Sequence, residues 1–84
     1  MKKRILLIDD EEPVKEFMKK ILARAGYDIF TASDGLEAIE MLETLNVDLI
    51  ILDMHMPNMN GIDVLRHIRK YELTNKPVLM VSGY

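Results

Sequence analysis

The 84 residues suffice for one small domain, and such a chain buries only about 60–65% of the surface its unfolded form exposes. With 49% hydrophobic and 30% charged side chains the composition is that of a globular protein; a formal charge of −3, from 11 basic and 14 acidic residues, leaves no basic footprint for nucleic acid. The absence of cysteine excludes a disulfide scaffold, a thiolate metal site and cysteine catalysis.

Met1-Lys2-Lys3-Arg4 has the charge of an export signal, but the apolar run behind it stops at Ile8, before two aspartates. No segment approaches the roughly 18 apolar residues of a membrane span, and the expected compartment is the cytoplasm. Arg4 to Ile8 reads as a strand buried on both faces. After Asp9-Asp10-Glu11-Glu12, Pro13 fits the first turn of a helix. Val14, Phe17, Met18, Ile21, Leu22 and Ala25 follow at helical spacing, and Gly26 supplies the stop. Tyr27 to Ala32 is a second strand, with β-branched Ile29 and Thr31.

Asp34 is a good N-cap for a second helix, and Glu37 stands where a capping box places its acid. Leu36, Ile39, Leu42 and Leu45 are that helix's predicted buried stripe. Asp48 to Asp53 is a third strand, and Met54 to Asn60, with Pro57 and two asparagines, is a loop. Ile62, Val64, Leu65 and Ile68 mark a third helix ending near Tyr71, and Val78 to Val81 is a fourth strand after Pro77. The order βαβαβαβ, with strands apolar on both faces, predicts an α/β fold with a parallel sheet and helices on both sides.

Parallel sheets of this kind bind ligands beyond the carboxyl ends of their strands, where the strand order reverses. The first strand runs into Asp9 and Asp10 and the third ends in Asp53, so an order of 2-1-3-4 brings three carboxylates into one crevice. An all-oxygen set suits a hard divalent cation such as Mg²⁺. Acids before a helix also complement its N-terminus, by about 0.3–1 kcal/mol each, and aspartate is an ordinary turn residue. Convergence at two adjacent strand ends favours the metal reading, because clustered carboxylates repel one another without a cation. Ser82, beyond the fourth strand, either donates to an anion held over the metal or satisfies a local backbone group. Gly61 either permits a positive φ or lets the loop backbone approach the metal closely. Met54, Met56 and Met59 are read as packing of the loop onto the sheet, not as a soft-metal site.

Three segments resemble receiver domains of two-component response regulators: Ile5-Leu6-Leu7-Ile8-Asp9-Asp10-Glu11, Leu52-Asp53-Met54-His55-Met56-Pro57-Asn58-Met59-Asn60-Gly61, and Pro77-Val78-Leu79-Met80-Val81-Ser82-Gly83-Tyr84. Gly26-Tyr27 and Ala32 to Ala38 are similar to the family as well, so the likeness covers the whole chain. The resemblance implies a flavodoxin-like fold and Mg²⁺-dependent phosphorylation of Asp53, the donor being a phosphohistidine on a sensor histidine kinase or phosphotransfer protein, or a small acyl phosphate. By matched position, Asp10 would bind Mg²⁺ directly, Asp9 mainly through water, and Asp53 as both ligand and nucleophile. The backbone carbonyl of His55 would complete the protein's ligands, and Ser82 would bond a phosphoryl oxygen. His55 and Tyr84 fall where the family tunes hydrolysis of the acyl phosphate. Such a module is not an enzyme beyond self-phosphorylation and autodephosphorylation.

Against the family pattern, residues 1–84 read as a single truncated receiver ending after the fourth strand, lacking a fifth strand, the last two helices and a phosphoryl-binding lysine. Lys76 is no substitute, since it precedes the fourth strand. Phosphorylation is therefore expected to be impaired. The fourth strand becomes an unguarded apolar edge and one sheet face is left partly bare, which predicts a homo-oligomer, as a two-fold dimer. The alternative function is accordingly a self-associating structural module without phosphotransfer.

Overall fold

The apolar run Arg4–Ile8 forms strand β1, and it lies at the middle of the sheet because neither of its faces tolerates water. The computed structural model describes residues 2–57 and 59–81. Within them, α1 (Glu12–Arg24), β2 (Asp28–Ala32), α2 (Gly35–Leu42), β3 (Leu49–Asp53), α3 (Gly61–Lys70) and β4 (Val78–Val81) follow in turn. All pairings are parallel and the strand order is β2-β1-β3-β4, the predicted 2-1-3-4. The registers Ile8↔Ala32, Ile8↔Leu52 and Asp53↔Val81 bring the carboxyl ends of all four strands to one edge. No helix among the described residues is long and apolar enough to cross a membrane.

The sheet separates two apolar clusters. Leu6, Ile8, Ile50 and Leu52 point to the side of α2 and α3, where Ala38, Leu42, Val64 and Ile68 close over them. Ile5, Leu7 and Ile51 point to the side of α1, where the half-buried Met18 and Leu22 pack over them. The second cluster is smaller, and α1 leaves Phe17 65% exposed, with Val14 and Ile21 outward as well. Leu79 and Val81 on the β4 edge are also exposed. The bare surface expected from the sequence is confined, among the described residues, to α1 and β4: Ile5, Leu7 and Ile51 on the same sheet face are at most 5% exposed, because α1 covers β1 and β3.

Two stripes differ from expectation. On α2, Leu36 faces solvent, and the buried row is Gly35, Ala38, Ile39 and Leu42. The helix sits close to α3: a Cβ on Gly35 would lie 2.5 Å from Val64 Cγ2, so the contact row falls one residue before Leu36. On α3, Ile62 is exposed while Val64 and Ile68 are fully buried. The helix stops are as read. Gly26 takes φ +100° after α1, in the left-handed region that favours glycine. Asp34 caps α2 by accepting the Glu37 N–H at 2.8 Å. The reciprocal bond of the capping box is displaced by one residue: the Glu37 carboxylate accepts the Ser33 N–H at 2.6 Å.

Candidate functional site

The chain leaves β1 through Asp9, whose N–H donates to Ala32 O at 3.1 Å and extends the β1–β2 ladder by one bond. The Asp9 carboxylate then turns back and accepts the Glu11 N–H at 2.9 Å. Glu11, the N-cap residue of α1, makes no capping bond with its own side chain, so Asp9 organises the entry to the helix. Asp53 is the last residue of β3, and its carboxylate accepts the His55 N–H at 3.1 Å. Each acid is thus oriented by a backbone donor two residues ahead.

Carboxylate oxygens of Asp9, Asp10 and Asp53 lie within 4.8 Å of one another, at the crevice between β1 and β3. Asp9 and Asp53 are 7% and 9% exposed, and Asp10 faces solvent. Burial raises the Asp9 carboxyl above its ordinary value of 3.8, with the charges of Asp53 and Asp10 adding to the rise; the Glu11 N–H and, more weakly, Lys15 oppose it. Two buried carboxylates and a third at their side form a donor set that a hard, oxygen-seeking cation fits, and its charge would relieve their repulsion.

The loop after β3 is held tightly. Met54 N–H donates to Val81 O at 3.0 Å, and Gly61 N–H donates to Met54 O at 3.0 Å. Met56 is buried in the larger cluster and Met59 packs against it, which bears out the reading of these two methionines as packing. Of the two purposes expected of Gly61, the positive φ is not the one it serves. A Cβ there would lie 2.6 Å from Asp53 O and 2.9 Å from Met54 Cα. The glycine lets the first turn of α3 abut the backbone that carries Asp53.

The structure brings Asp9, Asp10 and Asp53 together and puts His55 at the rim, its side chain exposed. Ser82 and Tyr84 lie outside the described residues. Lys76 is at the opposite end of the sheet, beside Lys3, Asp48 and Pro77. Lys15 and Ser33, not singled out from the sequence, stand next to the site. Lys15 is only 5% exposed, and its Nζ donates to Glu12 Oε1 at 2.7 Å and to Ser33 Oγ at 2.5 Å. The signal was available: Lys15 falls on the inward row of α1 with Met18 and Leu22, where an apolar residue is the rule.

A doubly wound parallel sheet with acids gathered at its switch point defines a flavodoxin-like α/β domain with an acidic cluster at its carboxyl edge. The chain belongs to the response regulator receiver domain family, whose model matches residues 5–84. It is 44% identical over 83 residues to the alkaline phosphatase synthesis transcriptional regulatory protein PhoP of Bacillus subtilis, covering 99% of this chain and 34% of PhoP. It is 35% identical over 83 residues to the CAI-1 autoinducer sensor kinase/phosphatase CqsS of Vibrio cholerae, covering 96% of this chain and 12% of CqsS. Thus the chain spans about a third of the length of PhoP and about an eighth of that of CqsS. Among solved structures, the response regulator TrrA of Thermotoga maritima in complex with Mg(2+)-BeF superposes with a TM-score of 0.90 at 39% identity, over 98% of this chain and 70% of that one. A complex of TrrA with the histidine kinase ThkA matches with a TM-score of 0.89.

Proposed function

We propose that this receiver domain accepts a phosphoryl group on Asp53 in a Mg²⁺-dependent reaction, as a phospho-acceptor module of two-component signalling. The observation that carries the reading is the convergence of three carboxylates at the β1–β3 crevice, with Asp53 closing the central strand. Asp10 and Asp53 would ligate the cation through carboxylate oxygens and Asp9 mainly through water, and the His55 carbonyl would add a further oxygen. When bound, Mg²⁺ supplies the positive charge that offsets repulsion between the Asp53 carboxylate and an anionic donor.

The chain's own part is orientation. The His55 N–H fixes one Asp53 oxygen, and the bonded strand end holds the carboxylate in place for in-line attack. A carboxylate oxygen of Asp53 bonds to phosphorus as the bond from phosphorus to the donor breaks, and the donor leaves as carboxylate or imidazole. Ser82 would then donate to a phosphoryl oxygen. The donor partner is a sensor histidine kinase or phosphotransfer protein; the TrrA–ThkA complex, from a relative 39% identical, supports that choice. The setting proposed is cytoplasmic, and the activity is that of a substrate for a kinase more than of an enzyme.

Intact mass after incubation with acetyl phosphate tests this. One phosphoryl adduct is expected with Mg²⁺ and none with EDTA; an unmodified, folded protein under both conditions would contradict it.

A second reading, self-association, is favoured by the exposed Phe17, Ile21, Leu79 and Val81, which flank one partly covered face and one unpaired strand edge. Sedimentation at micromolar concentration is expected to show a dimer that Phe17→Glu converts to monomer. A monomeric parent chain would remove this reading and leave the first untouched.

A further inference from the structure

Burying an ammonium is costly unless a charge or hydrogen bond repays the lost hydration. Lys15 is buried, yet the carboxylate it pairs with, Glu12, has a side chain 72% exposed. An ion pair with one wet partner is largely screened by solvent and does not by itself account for drawing the lysine inward. The remaining neighbours lie on the acid site's side. Ser33, which accepts from Lys15, directly follows Ala32, and Ala32 O holds the Asp9 N–H. Lys15 therefore ties α1 to the end of β2 on the flank where Asp9 is anchored. Its charge also acts on Asp9, partly countering the burial and the two neighbouring carboxylates.

We infer that Lys15 is a positioning residue of the acid site, an internal counter-charge that lets three carboxylates share the crevice and that lowers its affinity for a divalent cation. The inference rests on the reading of that crevice as a Mg²⁺ site. Without Lys15 the carboxylates would repel one another more strongly, and a dication would be drawn in more tightly. A lysine that merely fastened α1 to β2 would give the opposite sign, since losing the fastening would loosen the site and weaken binding.

The test is Mg²⁺ titration by calorimetry on the full 84-residue chain and three variants. Lys15→Gln keeps a hydrogen-bond donor for Ser33 and removes the charge; it is expected to bind Mg²⁺ tighter, on the order of tenfold. Lys15→Arg keeps the charge and is expected to bind as the parent does. Ser33→Ala keeps the ammonium, removes one fastening bond and is expected to change affinity little. Equal or weaker binding by folded Lys15→Gln would overturn the counter-charge role. Should Lys15→Gln fail to fold, a marked weakening in Ser33→Ala would overturn it, because the fastening would then be what the site needs. No Mg²⁺ binding by the parent chain would overturn the metal reading itself, and this inference with it; binding by the parent that Lys15→Gln does not tighten removes only the role of Lys15.

Discussion

Gly61→Ala is expected to lower the Tm by about 5–20 °C, out of proportion to a single added methyl group. The new Cβ would sit 2.6 Å from Asp53 O, 2.9 Å from Met54 Cα and 3.0 Å from Met80 Cε. A methionine methyl can swing aside, but two of the three atoms are backbone and cannot yield by changing rotamer. The first turn of α3 must therefore move off the end of β3, straining the 3.0 Å bond from Gly61 N–H to Met54 O. Overpacking of this kind costs about 1–3 kcal/mol, and the helix-propensity advantage of alanine is small at the first residue of a helix. A calorimetric scan reads the loss directly, and an unchanged Tm would mean that the strand end accommodates the methyl group freely. Because the displaced backbone carries Asp53, Mg²⁺ affinity should fall in the same variant. Gly26→Ala provides the contrast: its Cβ would meet nothing within 4 Å, so the cost there comes from φ +100° alone, about 1–2 kcal/mol.

The second large effect is a reversal by metal. The Asp9 carboxyl is raised in the folded protein, first by burial and then by its acidic neighbours. For an acid held above its unfolded value, the native state binds the proton more tightly. The associated stability is fully present below the unfolded value and is lost as pH rises through the folded one. Metal-free protein should accordingly gain Tm as pH falls through the raised Asp9 value toward 3.8, until the remaining carboxylates protonate. Asp9→Asn should flatten that gain and stabilise the metal-free protein at neutral pH, since the amide oxygen can still accept the Glu11 N–H. Mg²⁺ reverses the comparison. At a hundredfold excess over Kd it stabilises the parent by about 2.7 kcal/mol, on the order of 10–20 °C. In Asp9→Asn the increment should be much smaller, and EDTA should abolish it in both. Thermal scans with and without Mg²⁺ across pH check this; a parent chain that Mg²⁺ leaves unmoved would contradict it.

Much of this site is legible along the chain because its chemistry is tied to where strands stop. An apolar run such as Ile5 to Ile8 cannot continue into Asp9-Asp10, and Leu49 to Leu52 cannot pass Asp53, so the acids mark strand ends. A sheet wound on both sides then makes β1 and β3 neighbours. The cap at Asp34 and the stop at Gly26 are equally local. What the chain conceals depends on distances across elements. Leu36 and Ile62 fit helical stripes but point outward, because the angle between α2 and α3 decides which row is covered. The need for glycine at position 61 lies in its contact with Asp53 and Met54, not in its own torsion angles. Lys15 looks like one more surface charge in an acidic and basic helix, and only its depth beside Ser33 sets it apart.

Asp9, Asp10 and Asp53 are close enough that an adduct counted by mass alone could sit on any of them. The decisive measurement is its position. Protein treated with acetyl phosphate and Mg²⁺ is reduced with borohydride, which converts a phosphorylated aspartate to homoserine with release of phosphate, and is then mapped by peptide mass spectrometry. Homoserine at position 53 alone, absent from Asp53→Asn, is the expected result. Homoserine at position 9 or 10, or a folded protein with none at all, would contradict the assignment of Asp53 as the phosphoryl acceptor.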